Sequence, residues 1–456
     1  MLAEFYDQFL EWATAFGAEL NGENCYQRRN IEAAAFVNGG AFFGLVQDIE
    51  GASGPYHDFS LVVFPDNEGR DWLVSLCVGT LGFKNDFDLA SLPGIRRRYQ
   101  KLISEHGFSK TNYQDIETSL PKDYTDKVSH LAKTLKSYSK FISACEIVNP
   151  ASAEGKAKIK GFLALYADIR GWGSNQPKRT AILRALQDAQ TTTSFHQDDH
   201  HVLSLLQERK YLVLQGPPGT GKTRLAKILA EQISAQVYFT QFHAETSYAD
   251  FVWGIRPVLQ SEQVQYEARE GVLVQAIKAA KANPSKPVVL IVDEINRANL
   301  SNVLGPVFYL FEYQMDQHDI EIVITDDLRL KQLPENFYVI ATMNTADRSL
   351  AVVDFALRRR FAWYTLWPQP IFSGDFHKEI FDEVAGIFEQ YASDEELNLQ
   401  PGQGYFLAPS AAVMNERLRY EVMPLIKEYL VEGMLSQSKD AFADFFHRRI
   451  GEALFR

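Results

Sequence analysis

The octapeptide GPPGTGKT at 216–223 constrains this chain more than any other stretch. It follows the apolar run YLVLQ (211–215) and leads into RLAKILAEQI. A strand that runs through a glycine-rich turn into a helix builds a phosphate cradle. Its glycines let backbone amides wrap the phosphates, and the helix start adds the positive end of its dipole. On this pattern Gly216, Pro217, Pro218, Gly219, Thr220 and Gly221 line the loop. Lys222 reaches the β- and γ-phosphates, and the Thr223 hydroxyl ligates Mg2+. A glycine turn matching by chance would explain neither the strand before it nor the helix after it.

A second segment supplies the acids. VVLIVDEIN (288–296) is an apolar run ending in two carboxylates, the pattern of a buried strand that delivers them at its C-terminal edge. Asp293 is placed in the Mg2+ shell, and Glu294 is placed to polarise an attacking water. Phosphoryl transfer needs positioning and charge neutralisation rather than covalent chemistry, and this small set of groups suffices. Together the two segments predict nucleoside triphosphate hydrolysis.

From Tyr211 on, the apolar runs YLVLQ, QVYFTQ (236–241), PVVLIVDE (287–294) and FYVIATMN (337–344) alternate with helical segments. Such alternation predicts a parallel sheet covered on both faces. The region from about 366 reads as helical, with NERLRYEVMPLIKEYL (415–430) the clearest amphipathic stretch. Ahead of the loop, residues 2–20 carry apolar positions at helical spacing. HDFSLVVF (57–64) and DWLVSLCVG (71–79), joined by PDNEG, read as a β-hairpin, and 126–147 read as helix. The fold expected is therefore α/β: a nucleotide-binding core over 205–365, a helical lid and C-terminal region over 366–456, a mixed α/β N-terminal domain over 1–150, and a helical linker over 151–204. With 46% hydrophobic and 23% charged residues and a formal charge of −12, the chain is not globally basic, and any nucleic-acid contact must be local. No apolar run spans a bilayer, the acidic start lacks signal-peptide character, and three scattered cysteines point to buried thiols; a cytoplasmic location is expected.

MNTADRS (343–349) invites two interpretations. Asn-Thr-Ala-Asp is similar to the Asn-Lys-x-Asp signature by which GTPases hold guanine, but Thr345 cannot lay a lysine stem along the base. Asn344 instead ends the strand after Asp293. In a sheet of this kind that strand lies between the loop strand and the acidic strand, so Asn344 points at the γ-phosphate and Asp347 and Arg348 turn toward a subunit interface. SLAVVDFALRRRF (349–361) then reads as a short helix ending in Arg358, Arg359 and Arg360, placed to act on a neighbouring subunit's γ-phosphate.

GPPGTGKT, QFHAETSYADFVWGIRP (241–257), VLIVDEINRANLSNVLGPVFYLFE (289–312) and VIATMNTADRSLAVVDFALRRRF (339–361) together resemble the McrB family, AAA+ GTPase motors of McrBC modification-dependent restriction systems. The resemblance covers roughly 205–435. It implies an AAA+ P-loop NTPase that takes GTP (ATP being the alternative) with Mg2+, a hexameric homo-oligomer, a McrC-like nuclease partner and DNA as target, with no membrane role. It assigns Gly216, Gly219, Gly221, Lys222 and Thr223 to the phosphate loop and Asp293 and Glu294 to metal and water. Asn344 becomes the phosphate sensor, Asn296 orders the catalytic water, and Arg359 and Arg360, with Arg348, act in trans. Guanine preference is inherited from the family alone, and Tyr248, Asp250 and Gly254 match it without a definite role. A MoxR-like ATP-dependent remodelling ATPase is the alternative, and a DNA-binding defence sensor with a regulatory motor is a third.

The chain carries no nuclease motif, and its first 150 residues do not match the family's methylcytosine-flipping domain. GIRRRYQK (94–101) with Tyr99 and Tyr113, and Trp72 as a base-stacking ring, are candidate DNA contacts, set against a solvated basic helix and a core tryptophan. HQDDHH (196–201) lacks a second cluster to complete a metal site and reads as polar linker. His243, in QFHAE, ends a strand near the nucleotide.

Overall fold

A computed structural model describes residues 2–20, 24–46, 59–77, 92–110, 120–190, 199–260, 263–311, 321–347 and 355–455. The chain divides into two compact units, 1–194 and 195–456.

The first unit is built on an antiparallel sheet of strands β1 (Tyr26–Asn30), β2 (Phe42–Val46), β3 (Ser60–Phe64), β4 (Trp72–Cys77), β5 (Gly107–Ser109) and β6 (Ile142–Val148), in the order β1-β2-β3-β4-β6-β5. Alternate strand residues face opposite ways, so the sheet buries two cores. Phe43, Leu45, Leu61, Val63, Trp72 and Val74 pack under the helices Leu2–Phe16, Ala153–Ile169 and Gln176–Ala189. Val62, Phe64, Leu73 and Cys145 pack under residues 120–138. The expected hairpin forms as β3 and β4 in antiparallel register.

Two expectations for this unit fail. Residues 126–147 are helical only to Tyr138, and Ile142–Val148 is the interior strand β6, between β4 and β5. A strand buried on both faces is apolar nearly throughout and cannot be told from a helix by period alone. Nor is 151–204 a linker: Ile159, Phe162, Tyr166 and Ile182 sit in the core of the first unit, whereas Val202 and Leu206, on the helix Asp199–Arg209, belong to the second.

The second unit holds a parallel sheet of β7 (Tyr211–Gly216), β8 (Gln236–Gln241), β11 (Val288–Asp293), β14 (Phe337–Asn344) and β15 (Ala362–Thr365), in the order β15-β7-β14-β11-β8. Leu212, Leu214, Val289, Ile291 and Ile340 pack against Leu225, Ala226 and Leu229 of the helix Lys222–Gln232. The opposite face, with Val213, Leu290, Val292 and Val339, packs against Leu273, Ala276 and Ile277 of the helix Val272–Ala282. A long hairpin, β9 (Trp253–Gln260) and β10 (Gln263–Glu270), and a short one, β12 (Ile322–Thr325) and β13 (Leu328–Leu330), complete the strands described. The C-terminal helices close over their own core of Phe381, Phe388, Leu418, Phe442 and Phe446. The amphipathic stretch at 415–430 is not one regular helix. It widens to a π turn over Leu418–Val422, two residues before Pro424, whose missing N–H cannot continue the ladder. Among the described residues no helix is long and apolar enough to cross a membrane.

Candidate nucleotide site

Sheet order brings three strand ends together. β14 lies between β7 and β11, so Asn344 stands opposite Gly216 on one side, and Ala341 stands opposite Val292, next to Asp293, on the other. Gly216, Gly219 and Gly221 have φ of +150°, +78° and +86°, backbone that only glycine adopts without strain, and Gly221 caps the helix Lys222–Gln232. The loop closes on itself: Thr220 Oγ1 donates to the Pro217 carbonyl (2.9 Å), and Lys222 Nζ donates to Gly216 O (2.9 Å) and Pro217 O (2.8 Å).

The acidic end of β11 is held by two hydroxyls. Thr223 Oγ1 donates to Asp293 Oδ1 at 2.7 Å, and Thr342 Oγ1 donates to the same oxygen at 2.6 Å. Thr342 Oγ1 in turn accepts from Glu294 N at 3.1 Å. A hydroxyl and a carboxylate oxygen are the hard donors that Mg2+ takes, with phosphate oxygens and water completing its shell, so the residues fit that ion. Among the described residues no cluster of three or more His, Cys, Asp or Glu offers an alternative metal site.

Glu294 adopts a left-handed φ of +55°, a strained conformation of the kind that collects at functional sites. Its carboxyl is pushed up chiefly by burial, opposed by Arg297, with Asp293 and Asp347 adding to the rise. Arg297 Nε lies 3.5 Å from Glu294 Oε2, and Arg297 Nη2 donates to Asp347 at 3.1 Å. Burial lowers Lys222 to about 8, against the pull of Glu294, Asp293 and Asp347. Asn296 is buried; its Nδ2 donates to Asn344 O (3.3 Å), and its Oδ1 has no hydrogen-bond partner among the described residues. Asn344 Oδ1 accepts from Ala346 N (3.2 Å).

The expected loop, acids, Asn296 and Asn344 thus converge. Asp347, partly exposed, pairs with Arg297, whose Nε lies beside Glu294. Arg358 and Arg359 are exposed, the former over the Trp363 ring at 5.2 Å. Arg360 is 6% exposed, with its guanidinium 4.2 Å above the Phe308 ring of its own chain. That packing does not fit the expectation that it reaches a neighbour. Arg348 lies outside the described residues.

Two parts of the site were missed. Thr342 is the polar residue amid the apolar body of FYVIATMN, and that anomaly was a readable signal. The lid segment 398–405 left no such mark: Gly402 N and Gly404 N donate to Pro218 O and Gly219 O, and Gln403 Nε2 donates to Thr220 O.

Two other candidates resolve as core residues. Trp72 is in the core with its indole N–H on Asp66 O, and Tyr99 is fully buried. Asp250 accepts from Ser247 and pairs with Arg256, Gly254 lies against Ala249, and Tyr248 packs beside Gly305. His243 is exposed, with its backbone N–H on Thr246. All three cysteines are free and buried. Tyr113 and residues 196–198 of HQDDHH lie outside the described residues.

With this geometry in view, the match to known families is specific. The model of the AAA domain, dynein-related subfamily, matches residues 211–361. Residues 211–361 are an AAA domain. The chain is also 33% identical to the type IV methyl-directed restriction enzyme EcoKMcrB subunit of Escherichia coli K12, over 52% of this chain and 58% of that protein. It is 26% identical to the type II restriction enzyme BsuMI component YdiS of Bacillus subtilis 168, over 33% of this chain and 55% of that one. The chain thus spans somewhat more than half the length of either curated relative. A solved ATPase-type structure from Cytophaga hutchinsonii is 15% identical over 55% of this chain and 74% of that one, with a TM-score of 0.27, too distant to bear on the fold. Residues 211–361 thus carry the AAA match, about half of the chain is similar to the McrB subunit, and a mixed α/β unit precedes the matched core.

Proposed function

We propose that the chain is the nucleoside-triphosphate-hydrolysing motor of a restriction system. The observation that carries this is the shared Asp293 oxygen: one carboxylate held by Thr223 from the loop and Thr342 from the middle strand, beside a strained, half-buried Glu294. Two restriction-enzyme relatives support the system assignment. Lys222 binds the β- and γ-phosphates. Thr223 and Asp293 hold Mg2+, which neutralises charge developing on the phosphate oxygens. Glu294 accepts a proton as water attacks the γ-phosphorus and the bond to the β-phosphate oxygen breaks. Asn296 and Asn344 fix the water, and Arg359 from an adjacent copy in a hexameric ring offsets the transition-state charge. GTP is the proposed nucleotide, a McrC-like nuclease subunit the partner, and modified or foreign DNA, met through the N-terminal unit, the target. Steady-state hydrolysis by the purified chain tests this. Faster GTP than ATP turnover is expected, and equal or faster ATP turnover would overturn the restriction-type assignment in favour of a remodelling ATPase.

A further inference from the structure

A phosphate-binding loop must aim its amides inward, which leaves its carbonyls facing out. Three of those carbonyls are taken by one segment of the lid. Gly402 N donates to Pro218 O (2.8 Å), Gly404 N to Gly219 O (2.9 Å), and Gln403 Nε2 to Thr220 O (2.9 Å). The approach is close. A side chain at Gly402 would strike the backbone of Gly219 and Thr220, and one at Gly219 would meet the Tyr405 ring at 2.7 Å. The segment is braced in turn: Arg417 Nη1 donates to Gly404 O (3.1 Å) and Leu407 O (2.5 Å), and Thr345 Oγ1, at the tip of β14, donates to Asn398 O (3.4 Å). No lysine or arginine occurs between Asn398 and Ser410, so nothing in the segment itself can contact phosphate as a cation.

In a trans peptide the C=O of one residue and the N–H of the next point opposite ways, and no cis bond occurs among the described residues. Anchoring the carbonyls of Pro218, Gly219 and Thr220 to the lid therefore turns the N–H groups of Gly219, Thr220 and Gly221 away from it. Those three amides donate to no group among the described residues. We infer that Gln403, with the backbone of Gly402 and Gly404, is a positioning device for the nucleotide: the lid sets the amide cradle through the loop's carbonyls and senses occupancy through the same bonds. This rests on the proposal that the chain binds a nucleoside triphosphate.

The test uses the full chain, fluorescent GTP and ATP analogues, and amide hydrogen exchange. Gln403→Glu keeps the acceptor that Gln369 N uses (3.4 Å) but loses the donor to Thr220. It should melt near the parent and bind nucleotide about tenfold more weakly, the cost of a less populated competent loop. It should also lose nucleotide-induced protection over 398–417. Gly402→Ala, which forces the two loops apart, should do the same more severely, and Gln403→Asn should not rescue. Parent-like affinity and protection in Gln403→Glu would overturn the inference, as would a parent that binds nucleotide while the Gly402 and Gly404 amides exchange freely. A parent that protects those amides yet binds neither GTP nor ATP would instead overturn the functional proposal and leave the contact standing.

Discussion

The Thr342 hydroxyl donates to Asp293 at 2.6 Å and accepts the backbone N–H of Glu294 at 3.1 Å, so one side chain on the middle strand orients both acids of its neighbour. Thr342→Val keeps the shape and removes both bonds. It should cost about 1–3 kcal/mol of stability for the groups left unpaired, and roughly ten- to hundredfold in turnover or Mg2+ affinity, as loss of a ligand-orienting group does. Thr342→Ser should restore both. Hydrolysis measured against Mg2+ concentration, alongside thermal melts, checks this.

Glu294→Gln removes the proton acceptor while preserving size. Turnover should fall by about a hundredfold or more, while nucleotide binding persists and the chain accumulates as an assembled ring. Light scattering with GTP or ATP present reads this directly. A variant that stays monomeric contradicts hydrolysis in trans.

The lowered Lys222 ammonium predicts a pH dependence. Bound phosphate favours the charged form, so affinity is full below about 8 and declines as the neutral amine takes over above it. The dissociation constant should rise about tenfold between pH 7 and 9. Stability moves the opposite way. The folded value lies below the ordinary 10.5, so between these two the unfolded chain binds more protons, and the nucleotide-free protein gains stability from this group as pH rises. Titrations with a fluorescent nucleotide across that range test the first effect, and a flat profile contradicts it.

Arg359 and Arg360 should separate cleanly. Arg359→Ala, at an exposed position, should reduce hydrolysis in the assembled state with an unchanged melt. Arg360→Ala removes a buried guanidinium from Phe308 and should cost about 1–2 kcal/mol whether or not the chain assembles. Calorimetry beside hydrolysis assays distinguishes them.

What the sequence made legible follows from which interactions are local. The loop, the acidic strand and Asn344 were readable because each motif carries its own strand or helix, and the order of the parallel strands then brings them together. Strands β8 and β14 fall at the expected residues because apolar runs between polar ends leave little freedom. The contact between Gly402–Gly404 and the loop was invisible because it depends on backbone groups nearly two hundred residues apart, which side-chain identity does not announce. Arg360 misled for a related reason: three consecutive arginines look alike until a helix turns one of them onto an aromatic ring.

The division between the two units also decides where the chain can be cut. Val202 and Leu206 cover Leu212, Leu214 and Ile340, so a fragment begun at 205 would strip away Val202 and expose part of that sheet face to water. A fragment begun at Asp199 would keep the whole helix as its own wrapper. Six residues thus separate a fragment fit for handling from one prone to clump.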